Sequence, residues 1–216
     1  MKTINYGIIG PGRIAGSYCR ALEQSPGSKI YAIASRDEHR AQEFAKQFKA
    51  DKSYGSYEEL VRDPDVDVVY IATPHSFHEQ QSILCLKHKK PVVCEKPLAL
   101  SAASVKRIIV ASKASKTFVM EGMWSRFNPA IIKAKEFIDD GAIGQVRHLF
   151  ADFGFQKPYD PKGRLYDPSL AGGSILDVGV YPLFLALFIL GRPFIARVRA
   201  RAEQSADVED EKELVD

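Results

Sequence analysis

Three side chains of the kinds that move protons stand at suggestive positions in this sequence. Lys96 lies in Glu95-Lys96-Pro97, directly after the apolar run Pro91 to Cys94. An ammonium at the end of a strand can hydrogen-bond a substrate oxygen and stabilise a neighbouring phenolate. Pro97 is a candidate for a cis peptide that aims Lys96. Asp177 and Tyr181 stand four apart in GGSILDVGVY (172–181), so on a helix they share one face. A phenol beside a cation is a sound proton donor to a developing alkoxide. Each fragment also has a plainer reading: a solvated Lys96 paired with Glu95, or a capping Asp177 with a core Tyr181.

A glycine cluster near the start supplies something for such groups to act on. Gly10-Pro11-Gly12-Arg13-Ile14-Ala15 matches the GxGxxG/A fingerprint, after the apolar run Ile4 to Ile9 and before a helical pattern. Gly10 permits the tight turn, Gly12 a close backbone approach to a pyrophosphate, and Ala15 close helix–strand packing. The pyrophosphate would sit on the helix N-terminus at Arg13 and Ile14. At the end of the second strand an NAD site would show an acid; here stand Ser35 and Arg36, with Arg40 a helical turn on. Guanidinium groups suit the 2′-phosphate of NADP. Asp37 keeps a second reading open, as that acid or simply as a helix cap. Thr73-Pro74-His75 follows a third strand, where His75 is either a ribose-pocket residue or polar surface. His78 falls inside the start of the next helix.

The elements that would position these residues alternate. Strands are expected at Ile4 to Ile9, Ile30 to Ala34, Val66 to Ala72, Pro91 to Cys94 and Phe118 to Glu121. Helices separate them, with Asp37, Ser56 (a capping box with Glu59) and Ser101 as N-caps. That rhythm predicts a parallel sheet covered on both faces. After Trp124 it changes: a helix from about Asn128 to Asp140, a long strand Val146 to Phe155, a loop, a helix from about Ser174 to Leu190 and a strand Ile195 to Ala202. The fold class is therefore α/β: a Rossmann doubly wound parallel sheet in 1–121, then an incomplete α+β open-faced sheet domain in 122–216.

Composition narrows the function classes. With 45% hydrophobic and 26% charged residues, the 216-residue chain reads as an ordinary globular protein. The net charge of +3 hides an acidic tail, seven acids against one lysine from Glu203 on. The basic body suits an anionic dinucleotide but lacks the interleaved Lys/Arg and aromatic runs of a nucleic-acid binder. Cys19, Cys85 and Cys94 form no CxxC pair, which suggests a reducing compartment and no structural metal. The N-terminus shows no signal peptide, and the apolar stretch Val178 to Leu190 is too short for a bilayer. A cytoplasmic protein without membrane or nucleic-acid partners is expected.

Taken in order, GPGRIAG, TPHSFH, EKP and GGSILDVGVY resemble the Gfo/Idh/MocA oxidoreductase family across essentially the whole chain. Within it SRDEHRAQEFA, YGSYEEL and MEGMWSRFNP are most similar to the branch of dimeric dihydrodiol dehydrogenases and NADP-linked D-xylose dehydrogenases. The resemblance implies that Lys96 is the catalytic lysine, Tyr181 the acid/base, and Asp177 an orienting carboxylate. It also brings Trp124, Arg126 and Phe127 to a substrate-facing region, with Glu95 and Lys96 beside the cofactor. The implied reaction moves a hydride between NADP (NAD less favoured) and a sugar, polyol or trans-dihydrodiol. A non-catalytic dinucleotide-sensing member of the same fold is the alternative. Family members continue through further strands that commonly form a homodimer interface, so a shortened chain is implied.

Overall fold

A computed structural model of the protein describes residues 3–191. Six parallel strands, β1 (Ile4–Ile9), β2 (Ser28–Ala34), β3 (Lys52–Tyr54), β4 (Val68–Ile71), β5 (Val92–Glu95) and β6 (Val119–Gly122), form one sheet. The sheet order is β3-β2-β1-β4-β5-β6. The order reverses direction beside β1, which makes the crevice between β1 and β4 the switch point where such sheets take ligands. Helices α1 (Arg13–Glu23), α2 (Glu38–Gln47), α3 (Tyr57–Arg62), α4 (His78–Lys87) and α5 (Ala102–Ser115) connect the strands.

Period-2 alternation sends neighbouring residues to opposite faces. Ile8, Ile33 and Tyr70 pack with Ala15, Cys19, Leu22, Ala41 and Phe48 under α1 and α2. Ile9, Val69, Ile71 and Cys94 pack with Leu60, Cys85, Leu86 and Ile108 on the other side. Full burial of Ile8 and of Ile9 contributes roughly 1.5–3 kcal/mol each. The three helix caps lie where the sequence places them. Asp37, Ser56 and Ser101 accept from the amides of Arg40, Glu59 and Ser104. β3 is an addition: three half-buried residues on a sheet edge carry no apolar run to announce a strand.

Beyond the sheet, Trp124–Phe127 makes a 3-10 turn and α6 (Pro129–Asp139) follows. The expected strand over Val146 to Phe155 is not formed; these residues run without regular structure. A strand needs a paired neighbour for its amides and carbonyls. Among the described residues none flanks this segment, and the expected Ile195 to Ala202 lies outside them. A π-helical turn at Ile175–Gly179 leads into α7 (Val180–Leu190), which Gly191 ends at φ +81°. The stretch Pro168–Leu190 is long and apolar enough in composition to cross a membrane. It is not one α-helix, and the 11-residue α7 rises only about 16 Å against a hydrocarbon core of about 30 Å.

One polar cluster locks the far end of the sheet. Asp63, with its side chain only 2% exposed, accepts from Tyr54 Oη (2.6 Å), Lys52 Nζ (3.0 Å) and the Asp65 amide (3.0 Å). Burial alone would raise its pKa, but the hydrogen bonds from Tyr54, Lys52 and Asp65 outweigh burial and hold the carboxyl below its ordinary value. A depressed carboxyl adds stability above its unfolded pKa of about 3.9 and loses it as pH falls through the folded value. Asp63→Ala is expected to cost about 2–4 kcal/mol at pH 7 by urea unfolding, because three donors lose their acceptor. The gap between variant and wild type should shrink below about pH 4.

Candidate active site

The C-terminal ends of β1, β2, β4, β5 and β6 and the segments that follow them carry every group read from the sequence except Asp177, in the π-helical turn, and Tyr181, on α7. Gly10 takes φ +85°, and a Cβ there would lie 2.8 Å from Thr73 Cγ2 and 3.0 Å from the Thr73 amide nitrogen. The turn therefore packs flush against the chain leaving β4. Gly12 differs. Its backbone is extended, and an added Cβ would meet only the Gly10 carbonyl oxygen at 3.9 Å. The open space faces the first turn of α1, which no side chain caps. Free amides there and room for close approach suit a phosphate.

At the end of β2, Ser35 is buried and its Oγ accepts from the Asp37 amide (3.2 Å). Asp37 is used as the cap of α2, accepting from the Arg40 amide. The Arg40 guanidinium reaches back to the Pro11 carbonyl (3.2 Å), and the Arg36 guanidinium lies 5.2 Å from the Phe77 ring centroid. Arg40 thus stands at the glycine turn, and Arg36 stands against Phe77 at the end of the β4 loop.

After β4, the Thr73 hydroxyl is turned inward to Gln81 Oε1 (2.6 Å). Among the described residues, His75, at 6% exposure, has no partner for Nδ1. Burial, with the His78, Arg164 and Lys96 charges, pushes its pKa down to about 4, so the ring is neutral at pH 7. A buried polar nitrogen without a partner, beside the switch point, is fitted to a ligand hydroxyl. His78, placed by sequence in a helix start, binds two loops together. Its Nδ1 lies 2.7 Å from the Pro97 carbonyl oxygen and its Nε2 2.9 Å from that of Thr73.

The turn after β5 has a cis Lys96–Pro97 peptide. Glu95 does not pair with the Lys96 ammonium. Its carboxylate accepts from Tyr70 Oη (2.6 Å) and the Lys96 amide (3.3 Å), while Glu121 of β6 accepts from the Leu98 amide (2.7 Å). Burial raises the pKa of Glu95. The two glutamates shape the turn, and the Lys96 side chain crosses to the segment entering α7. Lys96 Nζ donates to the Asp177 carbonyl oxygen (2.5 Å) and to Asp177 Oδ1 (3.3 Å). It stands 5.0 Å from the Tyr181 ring centroid.

Asp177 is buried, and Arg164 donates to the same Oδ1 at 3.0 Å. Burial opposes the charge, but Arg164 and Lys96 prevail and hold the carboxyl below its ordinary value. The capping reading of Asp177 gives way to an ion-paired one. Tyr181 is no core residue either: Trp124 Nε1 donates to its phenol oxygen (3.1 Å), and Trp124 and Phe153 meet its ring edge-on. Trp124 remains 57% exposed, as a pocket wall would be. Phe127 is also exposed, whereas Arg126 packs over Phe188 of α7 (5.5 Å). Neither Arg164 nor Phe153 was singled out from sequence: Arg164 lies in the loop between elements, and Phe153 lies in a segment expected to be a strand.

A family model described as "Oxidoreductase family, NAD-binding Rossmann fold" matches residues 4–123, and a second, "GFO/IDH/MocA C-terminal domain", matches 131–215. The chain belongs to the Gfo/Idh/MocA oxidoreductase family. Among its members, trans-1,2-dihydrobenzene-1,2-diol dehydrogenase of Mus musculus is 41% identical over 190 residues, 87% of this chain and 56% of that protein. D-xylose 1-dehydrogenase (NADP(+)) of Hypocrea jecorina is 41% identical over 202 residues, 84% of this chain and 51% of that protein. The chain spans about half the length of these Gfo/Idh/MocA relatives. Among solved structures, a mutant of KijD10, a 3-ketoreductase from Actinomadura kijaniata with TDP-benzene and NADP, has a TM-score of 0.81. It is 30% identical, over 88% of this chain and 58% of that one. The Caulobacter crescentus aldose-aldose oxidoreductase also scores 0.81, at 31% identity over the same shares.

Proposed function

We propose that this chain carries the cofactor-binding and proton-transfer groups of an NADP-dependent dehydrogenase or reductase acting on a sugar, polyol or trans-dihydrodiol. The observation that carries the proposal is Lys96, held between Asp177 and the ring of Tyr181 at the mouth of the dinucleotide crevice. The named activities of the diol, xylose and ketoreductase relatives support the substrate class. The phosphates would rest on Gly12, Arg13 and Ile14, the 2′-phosphate against Ser35, Arg36 and Arg40, and the ribose near Pro74 and His75. When bound, the nicotinamide supplies a hydride donor or acceptor at its C4.

The chain's own residues handle the proton. Trp124 occupies a lone pair of the phenol oxygen, which leaves the Tyr181 hydrogen free for a substrate oxygen. Lys96 spends two of its three donors on Asp177 and keeps one for that oxygen. In the oxidising direction the same phenol oxygen takes the proton back, facing a cation while it is charged. Fluorescence titration of NADPH against NADH, then a screen of aldoses, polyols and trans-dihydrodiols for NADP reduction, tests this. Arg36→Gln is expected to weaken NADPH binding about 10- to 100-fold, the loss of a charge-assisted phosphate contact, with NADH little changed. A wild-type preference for NADH would remove NADP from the proposal.

A further inference from the structure

Arg36 is anchored only through its backbone at the end of β2, yet its guanidinium is not loose in solvent. Two other elements reach it. Phe77, at the junction of the β4 loop and α4, places its ring 5.2 Å from the guanidinium carbon. Tyr57, the first residue of α3, stands close enough for the Arg36 and Arg40 charges to act on its phenol. Helices α3 and α4 pack against one another.

This geometry matters because of what each contact leaves free. Stacking on an aromatic ring uses the flat face of a guanidinium and leaves its in-plane N–H donors at the edge. A pair of these edge donors can still meet a phosphate side by side. A long side chain already confined to one geometry loses less freedom when it binds. Arg40 is held likewise at the Pro11 carbonyl, and Asp37, committed to its cap, does not neutralise either cation through its side chain.

We propose that Phe77 and Tyr57 are positioning residues that hold Arg36 ready for the cofactor 2′-phosphate and thereby set the preference for NADP over NAD. The proposal rests on the NADP reading given above. Neither residue is a cofactor contact in that reading; both act through Arg36.

The test is a set of dissociation constants for NADPH and NADH, read from nicotinamide fluorescence, on the whole chain. The variants are Phe77→Leu, Tyr57→Phe, Arg36→Gln and the Arg36→Gln/Phe77→Leu double. Leucine keeps the apolar bulk and phenylalanine keeps the ring, so one informative variant survives if the other unfolds. Each single positioning variant is expected to weaken NADPH binding about three- to tenfold, the scale of one cation–π or charge-assisted contact, with NADH within about twofold. In the Arg36→Gln background Phe77→Leu should add nothing further, because its effect passes through the missing guanidinium. An unchanged NADPH/NADH ratio in both single variants, or equal losses for both nucleotides, overturns the positioning role while leaving the NADP reading intact. A wild type that binds NADH as tightly as NADPH overturns both.

Discussion

Tyr181→Phe is expected to lower turnover about 10²- to 10⁴-fold, the range for losing a positioned acid/base, with NADPH affinity unchanged within about twofold. The substitution is a clean one here. The ring keeps its edge-on contacts with Trp124 and Phe153 and its place under the Lys96 ammonium. Only the phenol oxygen that accepts from Trp124 disappears, and the partly exposed indole N–H can turn to water. Folding should be indifferent, so steady-state kinetics beside thermal unfolding separates the two effects. Equal turnover by mutant and wild type would remove Tyr181 from the chemistry.

The second large effect concerns the glycine turn. Gly12→Val should destabilise the fold by only about 1–2 kcal/mol, the loss of a glycine N-cap at a backbone position that is extended and so open to a branched side chain. Among the described residues, an added Cβ there would meet only the Gly10 carbonyl oxygen, at 3.9 Å. Cofactor binding should nevertheless collapse. Keeping a phosphate off two backbone amides forfeits about 1.5–3 kcal/mol for each charge-assisted bond, which corresponds to on the order of 10²- to 10⁴-fold in affinity. Gly10 offers no such separation, because its positive φ and the Thr73 backbone 3.0 Å from an added Cβ tie substitution there to folding. Calorimetric titration with NADPH on folded Gly12→Val checks the point.

What could be seen in the sequence follows from how local each signal is. The glycine turn, the five strands expected within residues 4–121 and the caps at Asp37, Ser56 and Ser101 depend on neighbours within a few residues and lie where they were expected, while the short edge strand β3 had no such signal. Glu95-Lys96-Pro97 was ambiguous because the decision is made 81 residues away, by Asp177 rather than by Glu95. Trp124 was singled out through the family resemblance, but its bond to Tyr181 crosses 57 residues and has no local signal. Arg164 had no pattern to betray it, and Phe153 was covered only by a strand that does not form. His78 was read as a helix residue, which it is; that its ring also ties Thr73 to Pro97 is a tertiary fact. The strand expected over Val146 to Phe155 shows the reverse case. A β-rich composition does not make a strand without a hydrogen-bonded neighbour.

Trp124 is the protein's one tryptophan and stands against the phenol that is taken to face the nicotinamide, so its emission reports on that corner. NADPH should quench Trp124 saturably and gain sensitised nicotinamide emission, in wild type and in Tyr181→Phe alike, and both signals should vanish in Gly12→Val. NADPH that binds by calorimetry yet leaves Trp124 emission untouched would place the redox ring elsewhere, away from Lys96 and Tyr181.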